Sequence, residues 1–429
     1  MLSRLDGWTG RRAPGEEWRS NYRKDAWSSA LSGIYVSAVG PFLGLVAAKS
    51  LHASGWLLSL MMAAPFLGNL ATSLWVHRLH GRSKMPSVVI PVAFARALYL
   101  LMGLVTSAHQ YTGVAFAAQF MEASSGPAYS AVMERIYPPN IRGKLTGYVR
   151  VARTLVGIAI TLTVGHIIDR WGFRPVFVGA SVTGLIAIVA FAQIRVPDEK
   201  DRSERSTPAP RSGGAWRVFL QDRPYRWFGL SIFVYGTGNL LLGPIYPLFV
   251  ADTLHITYAQ QGALVFAGMV AAAVGFVVFG RYIDRYGPVR CVFTCVAGQA
   301  LRPAFYYLAH SFNWMLPAAI IGGLTDAGIE VGYLNSVLSF SPPQMVTTYQ
   351  SLHSTLLGIR GVLASILAAI LISLLQHGSA GYRPAFLLAT GMIVIGYFMG
   401  RSIQAPADAG AIGTARLPAP GRNHARMTT

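Results

Sequence analysis

The sequence predicts an all-α membrane protein: twelve transmembrane helices arranged as two six-helix, pseudo-symmetric bundles. Three observations predict it. The composition, 53% hydrophobic and only 12% charged over 429 residues, with a mean hydropathy of +0.43, suits a chain dissolved in lipid rather than two or three soluble domains. Apolar runs of about 20 residues, enough to cross a hydrocarbon core of about 30 Å, recur along nearly the whole length. The chain also repeats itself: "VGPFLGLVAAKSLHAS" from Val39 is answered by "LGPIYPLFVADTLHIT" from Leu242.

The predicted spans are 27–48, 55–76, 87–106, 111–136, 145–166, 174–194, 227–250, 259–280, 290–308, 314–340, 347–375 and 384–403. Richness in Gly, Ala and Leu, with no alternating ten-residue strands, makes them helices rather than barrel strands. The first 26 residues are polar and basic, and the apolar run after them is too long for a signal core, so it is expected to remain as the first span.

The formal net charge of +19 is explained by topology. With the N-terminus inside, 28 of the 36 Lys and Arg fall on the cytoplasmic side, four (Lys49, Arg170, Arg174, Arg383) on the outer side and four (Arg96, Arg153, Arg302, Arg360) within spans. That bias puts both termini in the cytoplasm and the protein in the cytoplasmic (inner) membrane, and leaves no role for nucleic acid. Cys291 and Cys295, the only two cysteines, stand one helical turn apart and read as packing, not as a disulfide framework or metal site.

The repeat runs the length of the chain. "YRKDAW" at Tyr22 answers "YRWFGL" at Tyr225, "YSAVMERIYPP" at Tyr129 answers "YLNSVLSFSPP" at Tyr333, and "FRPVF" at Phe173 answers "YRPAF" at Tyr382, at offsets of 203, 204 and 209. The expected organisation is a cytoplasmic segment 1–26, a six-helix bundle 27–194, a polar linker 195–226, a second bundle 227–403 and a cytoplasmic tail 404–429. Parallel repeats of this kind suit a transporter that rocks one half against the other.

The loops carry a family resemblance. "GRYIDRYGPVR" holds Gly280, Asp284, Arg285 and Gly287 in a G-x-x-x-D-R-x-G arrangement; the equivalent "WVHRLHGRSK" keeps Gly81 but has Arg78 where the acid would stand. "YPPNIRGKLTG" places Pro138 or Pro139, Arg142, Gly143 and Gly147 in a P-x-x-x-R-G-x-x-x-G pattern, and "GHIIDRWGFRPVF" from Gly165 is a turn into the sixth span. The chain resembles the major facilitator superfamily over its whole length. No G-x-x-x-G-P pattern marks the fifth span, as it does in many of that family's drug antiporters. The resemblance implies that the first, fourth, seventh and tenth spans line a central cavity.

A carboxylate and guanidinium at a cytoplasmic mouth can close and open a charge-assisted network with the other half. Asp284 and Arg285, with Gly280, Gly287 and Arg142, are the expected cytoplasmic gate. Ionisable groups inside spans need a partner or a role. Glu122 and Asp326 are related by an offset of 204, Arg96 and Arg302 by 206; each Arg lies within about 6 Å in depth of the acid on the next span. Two ion-pair latches, Arg96 with Glu122 and Arg302 with Asp326, satisfy all four; alternatively the acids face solute or protons. Glu330 stands one turn after Asp326, where the first half has Gly126. Two carboxylates on one face in low dielectric do not both ionise freely, which nominates Glu330 for proton coupling. His353 and Arg360 lie at depths that could meet it, and a plain Glu330–Arg360 ion pair is the alternative. Arg150 and Arg153, close in depth to Glu134, read as a structural cluster or as an anionic-solute contact.

Tyr35, Tyr235 and Asn239 complete the expected cavity lining. The Gly-Pro pairs at Gly40 and Gly243 predict bendable helices, the seventh bending or unwinding, and the repeated Leu-His with Ser or Thr predicts an outer turn and N-cap, with His52 and His255 as cap residues rather than metal ligands.

No phosphate loop or soluble catalytic constellation occurs, so neither an enzyme nor a cofactor or metal is expected. The expected function is secondary active transport of a small solute by alternating access, coupled to protons, by a monomer in lipid; four span Arg against three acids tilt toward an anionic solute. A proton-linked efflux antiporter, or a transport-inactive sensor or scaffold, are the alternatives.

Overall fold

The computed structural model describes residues 17–76, 84–138, 141–196, 212–342, 345–375 and 381–403. These form α1 (Glu17–Lys49), α2 (Gly55–Val76), α3 (Lys84–Leu98), α4 (Ala108–Ser124), α5 (Gly126–Ile136), α6 (Arg142–Trp171), α7 (Phe173–Ala192), α8 (Ser212–Gln221), α9 (Arg223–Leu248), α10 (Tyr258–Tyr286), α11 (Pro288–Gln299), α12 (Leu301–Leu308), α13 (Phe312–Phe340), α14 (Val346–Leu375) and α15 (Arg383–Gly400). A 3-10 turn, Tyr99–Gly103, extends α3, and a π turn, Phe249–Thr253, extends α9. Arg78, Gly81, Pro139, linker residues 197–211 and the tail 404–429 lie outside the described residues.

Among the described residues, nine helices are long and apolar enough to cross a membrane, and Gly55–Ala71 is a shorter apolar helix. The predicted fourth and ninth spans are each broken in two, for a local reason. Pro127 and Pro303 have no backbone N–H to give the carbonyls of Ala123 and Gln299 four residues earlier, so the ladder is interrupted between α4 and α5 and between α11 and α12. Pro244 and Pro247 do not unwind α9 as expected; it stays helical through both, and the irregularity falls later, in the π turn.

Helices α1–α7 pack among themselves, as do α9–α15. The two groups meet along α6 with α10 and α2 with α14. Both seams depend on missing side chains. Gly262 and Gly165 leave no space for a Cβ against Thr161 and Tyr258, nor do Gly361 and Gly358 against Phe66 and Leu70, which lets backbones approach as small residues do in lipid. Outward faces stay apolar and exposed, as at Val274, Val277, Ile366 and Ile370, the surface a bilayer covers.

The repeated motif becomes a repeated turn. His52 and His255 are the only non-glycine residues among those described with positive φ, 50° each. The next amide but none reaches back across the turn in both copies: Ala53 N–H donates to Ala47 O at 2.9 Å and Ile256 N–H to Val250 O at 3.1 Å. This is the left-handed helix ending usually made by Gly. Thr257 then opens α10 with a capping box to Gln260. His52 and His255 are therefore cap residues, as expected. Left-handed backbone costs a non-glycine residue about 1–2 kcal/mol, partly offset by the greater unfolded entropy of Gly. His52→Gly is expected to stabilise the protein by about 0.5–1 kcal/mol, read as a raised Tm. His255→Gly is expected to gain less, because its ring Nδ1 lies 2.9 Å from Ala251 O and that contact would be lost.

Candidate functional site

The first charged network sits on α1, α3, α4 and α7. Arg96, 6% exposed, donates to Gly184 O at 2.5 Å and Ser32 Oγ at 3.0 Å, and lies 4.0 Å from Glu122. Its guanidinium stands over the Tyr35 ring at 5.2 Å, while the Tyr35 hydroxyl donates to Glu122 at 3.4 Å. A Cβ on Gly184 would press on Arg96 and Tyr35 at 3.0–3.1 Å, so the bare glycine eases the guanidinium in against α7. The counterpart on α12 and α13 is looser. Arg302 meets Asp326 at 3.4 Å with side chains 31% and 51% exposed, donates through Nε to Tyr306 Oη at 3.0 Å, and Gln299 donates to the other Asp326 oxygen at 2.5 Å. Both expected pairs are thus formed, each beside a proline break.

Glu330 does not meet Arg360 or His353, a correction to the sequence expectation. It pairs across the two groups with Arg150 of α6, at 3.5 Å, with side chains 61% and 79% exposed. The reason is rotational: α14 turns His353 and Arg360 toward α9, where both line a small crevice with Ile232 and Phe233. Arg360 is buried, donates to Ile232 O at 2.9 Å and stands 6.0 Å over the Tyr235 ring; His353 packs edge-on against Tyr333 at 5.3 Å. Tyr235 is buried and Asn239 half-buried on α9. Nor do Arg150 and Arg153 cluster on Glu134, whose carbonyl instead accepts from Arg142 at 2.8 Å. Cys291 and Cys295 are fully buried packing residues.

The groups are sealed at one end. Lys49 donates to Ile256 O at 2.6 Å, Ser50 and Tyr258 share a hydroxyl bond of 2.5 Å, and Gln261 reaches Pro41 O at 3.3 Å. Asp169 accepts from the amides of Tyr258 and Ala259 at 3.0 and 2.8 Å, so a carboxylate of one group holds the positive end of a helix in the other. Toward the other end the side chains of Arg150, Glu330 and Asp326 are exposed, and the Arg150–Glu330 pair crosses between the groups.

Asp169 and Asp284 occupy the same local device at opposite ends. "IDRWG" and "IDRYG" both finish a helix with Gly at positive φ, 79° at Gly172 and 85° at Gly287, whose amide donates back four residues at 2.9 and 2.8 Å. Asp284 and Arg285 are exposed; Arg285 stacks 5.2 Å over Tyr286, and Gly280 lies in open space.

Sequence reasoning missed Asp25. It was placed in the cytoplasmic segment, but α1 begins at Glu17 and carries Asp25 into the interior, 1% exposed. Its carboxylate accepts from Tyr137 Oη at 2.6 Å and Ser29 Oγ at 3.5 Å, and no described cation pairs with it. With Arg96, Glu122, Tyr129 and Arg153 it lines a cavity of about 250 Å³ within the first group. The available signal was the repeat, which sets Asp25 opposite the buried Phe228. As a fourth interior acid, Asp25 removes the tilt toward an anionic solute.

A duplicated helical bundle with apolar faces, a sealed end and a charged interior is the build of a membrane carrier. The Major Facilitator Superfamily model matches residues 26–235 and again 228–422, and the chain belongs to that family: it is an integral membrane solute transporter, not an enzyme, with a small-molecule substrate. It is 25% identical over 389 residues to a putative sugar efflux transporter of Deinococcus radiodurans, covering 86% of this chain and 94% of that protein. A second relative, the facilitated glucose transporter member 10 of solute carrier family 2 from Xenopus laevis, is 28% identical over 146 residues, 34% of this chain and 25% of that protein. Among solved structures, the nucleoside transporter NupG aligns with a TM-score of 0.71 at 13% identity, over 89% of this chain and 98% of NupG. A bacterial homolog of the human lysosomal transporter Spinster aligns with 0.65 at 14%, over 91% and 98%. These two share the fold.

Proposed function

We propose that the protein is a secondary carrier that moves a small polar solute of the sugar class across the cytoplasmic membrane by alternating access, driven by protons. The observation that carries this reading is the contrast between the two ends: cross-group bonds at Asp169 and Lys49 close one, while toward the other the pair that crosses between the groups, Arg150 and Glu330, is 79% and 61% exposed. The names of two relatives supply the solute class. With both termini cytoplasmic, the sealed end is the outer one and this state faces inward. The bundles 27–194 and 227–403, joined by the linker 195–226, are then the rocking units, and the carrier works as a monomer in lipid. Asp284, Arg285 and Arg142, with the glycines 280 and 287, form the cytoplasmic gate of the opposite state, the role Asp169 plays at the sealed end.

Glu330 couples the proton. Its ion pair with Arg150 spans the groups, so protonation removes a bond between them and frees one to move. The test is flux in proteoliposomes with radiolabelled D-glucose, D-xylose and lactose under an imposed pH gradient. Wild type is expected to accumulate or expel one of them in response to the gradient. Glu330→Gln is expected to keep sugar-for-sugar exchange and lose the response. An unchanged response in Glu330→Gln would remove that residue from coupling, and absence of all flux from folded protein would remove the carrier reading in favour of a sensor or scaffold.

A further inference from the structure

Because the chain is duplicated, each half is a control for what the fold itself requires. The cavity of about 250 Å³ in the first group is lined on α1 by Asp25, Ser29 and Ser32, and elsewhere by Ser125, Tyr129 and Arg153. At the offsets of 203 for α1 and 204 for α5 and α6, these polar residues face Phe228, Ile232, Tyr235, Ile329, Tyr333 and Leu357 in the second half. Phe228, Ile232, Tyr235 and Ile329 are buried. Phe228 packs edge-on against Phe293 at 6.1 Å and tilted against Phe340 at 5.0 Å, and what space remains beside Ile232 and Leu357 is a crevice too small for water. The same backbone thus packs well with apolar side chains here, and five of the six positions are more polar in the first half.

The three buried or exposed ion pairs account for Arg96, Arg302, Arg150, Glu122, Asp326 and Glu330. Asp25, Arg153 and Arg360 are left over; Arg360 donates to Ile232 O in the second half, whereas Asp25 and Arg153 both line this cavity. A buried carboxylate served only by two hydroxyls keeps unused acceptor sites, and a guanidinium without a carboxylate keeps its fork of donors. Between them lie hydroxyls that both give and accept: Ser32 already receives Arg96, and Ser125 donates to Glu122 O at 2.7 Å, each with lone pairs to spare. Asp25, Ser32 and Ser125 are buried while Arg153 and Tyr129 are exposed at the rim; the buried part of such a wall is costly unless a ligand completes its hydrogen bonds.

We infer that this first-half cavity, bracketed by Asp25 and Arg153, is the solute-binding subsite, and that its ligand is an uncharged polyhydroxylated molecule whose hydroxyls donate to Asp25 and accept from Arg153. The inference rests on the carrier reading above and deepens it. The site is walled by the first group, next to the Arg96–Tyr35–Glu122 network, and Arg153 places it against α6, a helix of the seam.

The test uses the full-length protein in detergent, with D-xylose, D-glucose and lactose as probes and glycine and lysine as zwitterionic and cationic contrasts. At least one sugar is expected to raise the Tm of wild type. Asp25→Asn, Arg153→Gln and Ser29→Ile, the last copying the residue of the second half, are each expected to weaken that sugar about tenfold or more. Thiol labelling keeps a small donor at the site, a thiol in place of one hydroxyl: the two native cysteines are fully buried, so Ser29→Cys reports the cavity and the exposed Ser354→Cys serves as control. The stabilising sugar is expected to slow modification at position 29 and not at 354. Equal sugar affinity in all three variants, with no protection at position 29, would overturn the site while leaving sugar flux in proteoliposomes intact. Stabilisation by glycine or lysine instead, or by none of the panel, would overturn the ligand class.

Discussion

Asp169→Ala is expected to open the sealed end. The carboxylate accepts two amides from the first turn of α10, and hydrogen bonds to a charged group contribute about 1.5–3 kcal/mol each. Their loss weakens only the state in which the two groups touch there, since α10 keeps its own capping box at Thr257. Even one such bond shifts the balance between open and closed about tenfold, at about 1.4 kcal/mol per decade. Spin labels at Leu104 and Ser311, exposed on the two groups at that end, should report a second, longer distance that grows at the expense of the first. Asp169→Asn should fall between, because its amide oxygen still accepts. An unchanged distance distribution in Asp169→Ala would show that Lys49, Ser50 and the glycine seams hold the end without it.

Arg96→Met should be the most destabilising single change in the charged interior. It removes the donors to Gly184 and Ser32 and the cation beside Glu122. Removing one partner of a buried pair costs about 3–5 kcal/mol, and Glu122 is 35% exposed, so a loss of about 2–4 kcal/mol is expected. Arg302→Met, at a pair whose basic side chain is 31% exposed against 7% for Arg96, should cost no more than about 1 kcal/mol. The two Tm shifts, measured side by side, test burial as the cause. Equal shifts would make the networks equivalent despite their exposure.

These residues also show what a sequence of this kind makes legible. Arg96 with Glu122 and Arg302 with Asp326 could be paired in advance because both partners lie in one group, at depths fixed by 1.5 Å per residue along adjacent helices. The positive-φ histidines were visible as a repeated turn because local geometry repeats with local sequence. Glu330 found a partner that no such rule supplies. Arg150 belongs to the other group, and which residues face one another across the seam depends on how the two are tilted. Asp25 was hidden by a helix that starts ten residues before its apolar run, since polar residues at a helix start look like loop. Asp169 was hidden for another reason: it binds main-chain amides, which every non-proline residue carries and no motif distinguishes.

That last point has an outcome for how the protein can change. At the sealed end Asp169 holds the peptide groups of residues 258 and 259 and Lys49 the carbonyl of residue 256, with Tyr258 alone adding its ring and hydroxyl. Where only the peptide is gripped, as at Ala259, the segment is therefore free to alter its spelling so long as it keeps its turn, while Asp169, which does the gripping, is not. Mutational scans across that seam should come out lopsided: Ala259 tolerant, Asp169 intolerant, though the two touch.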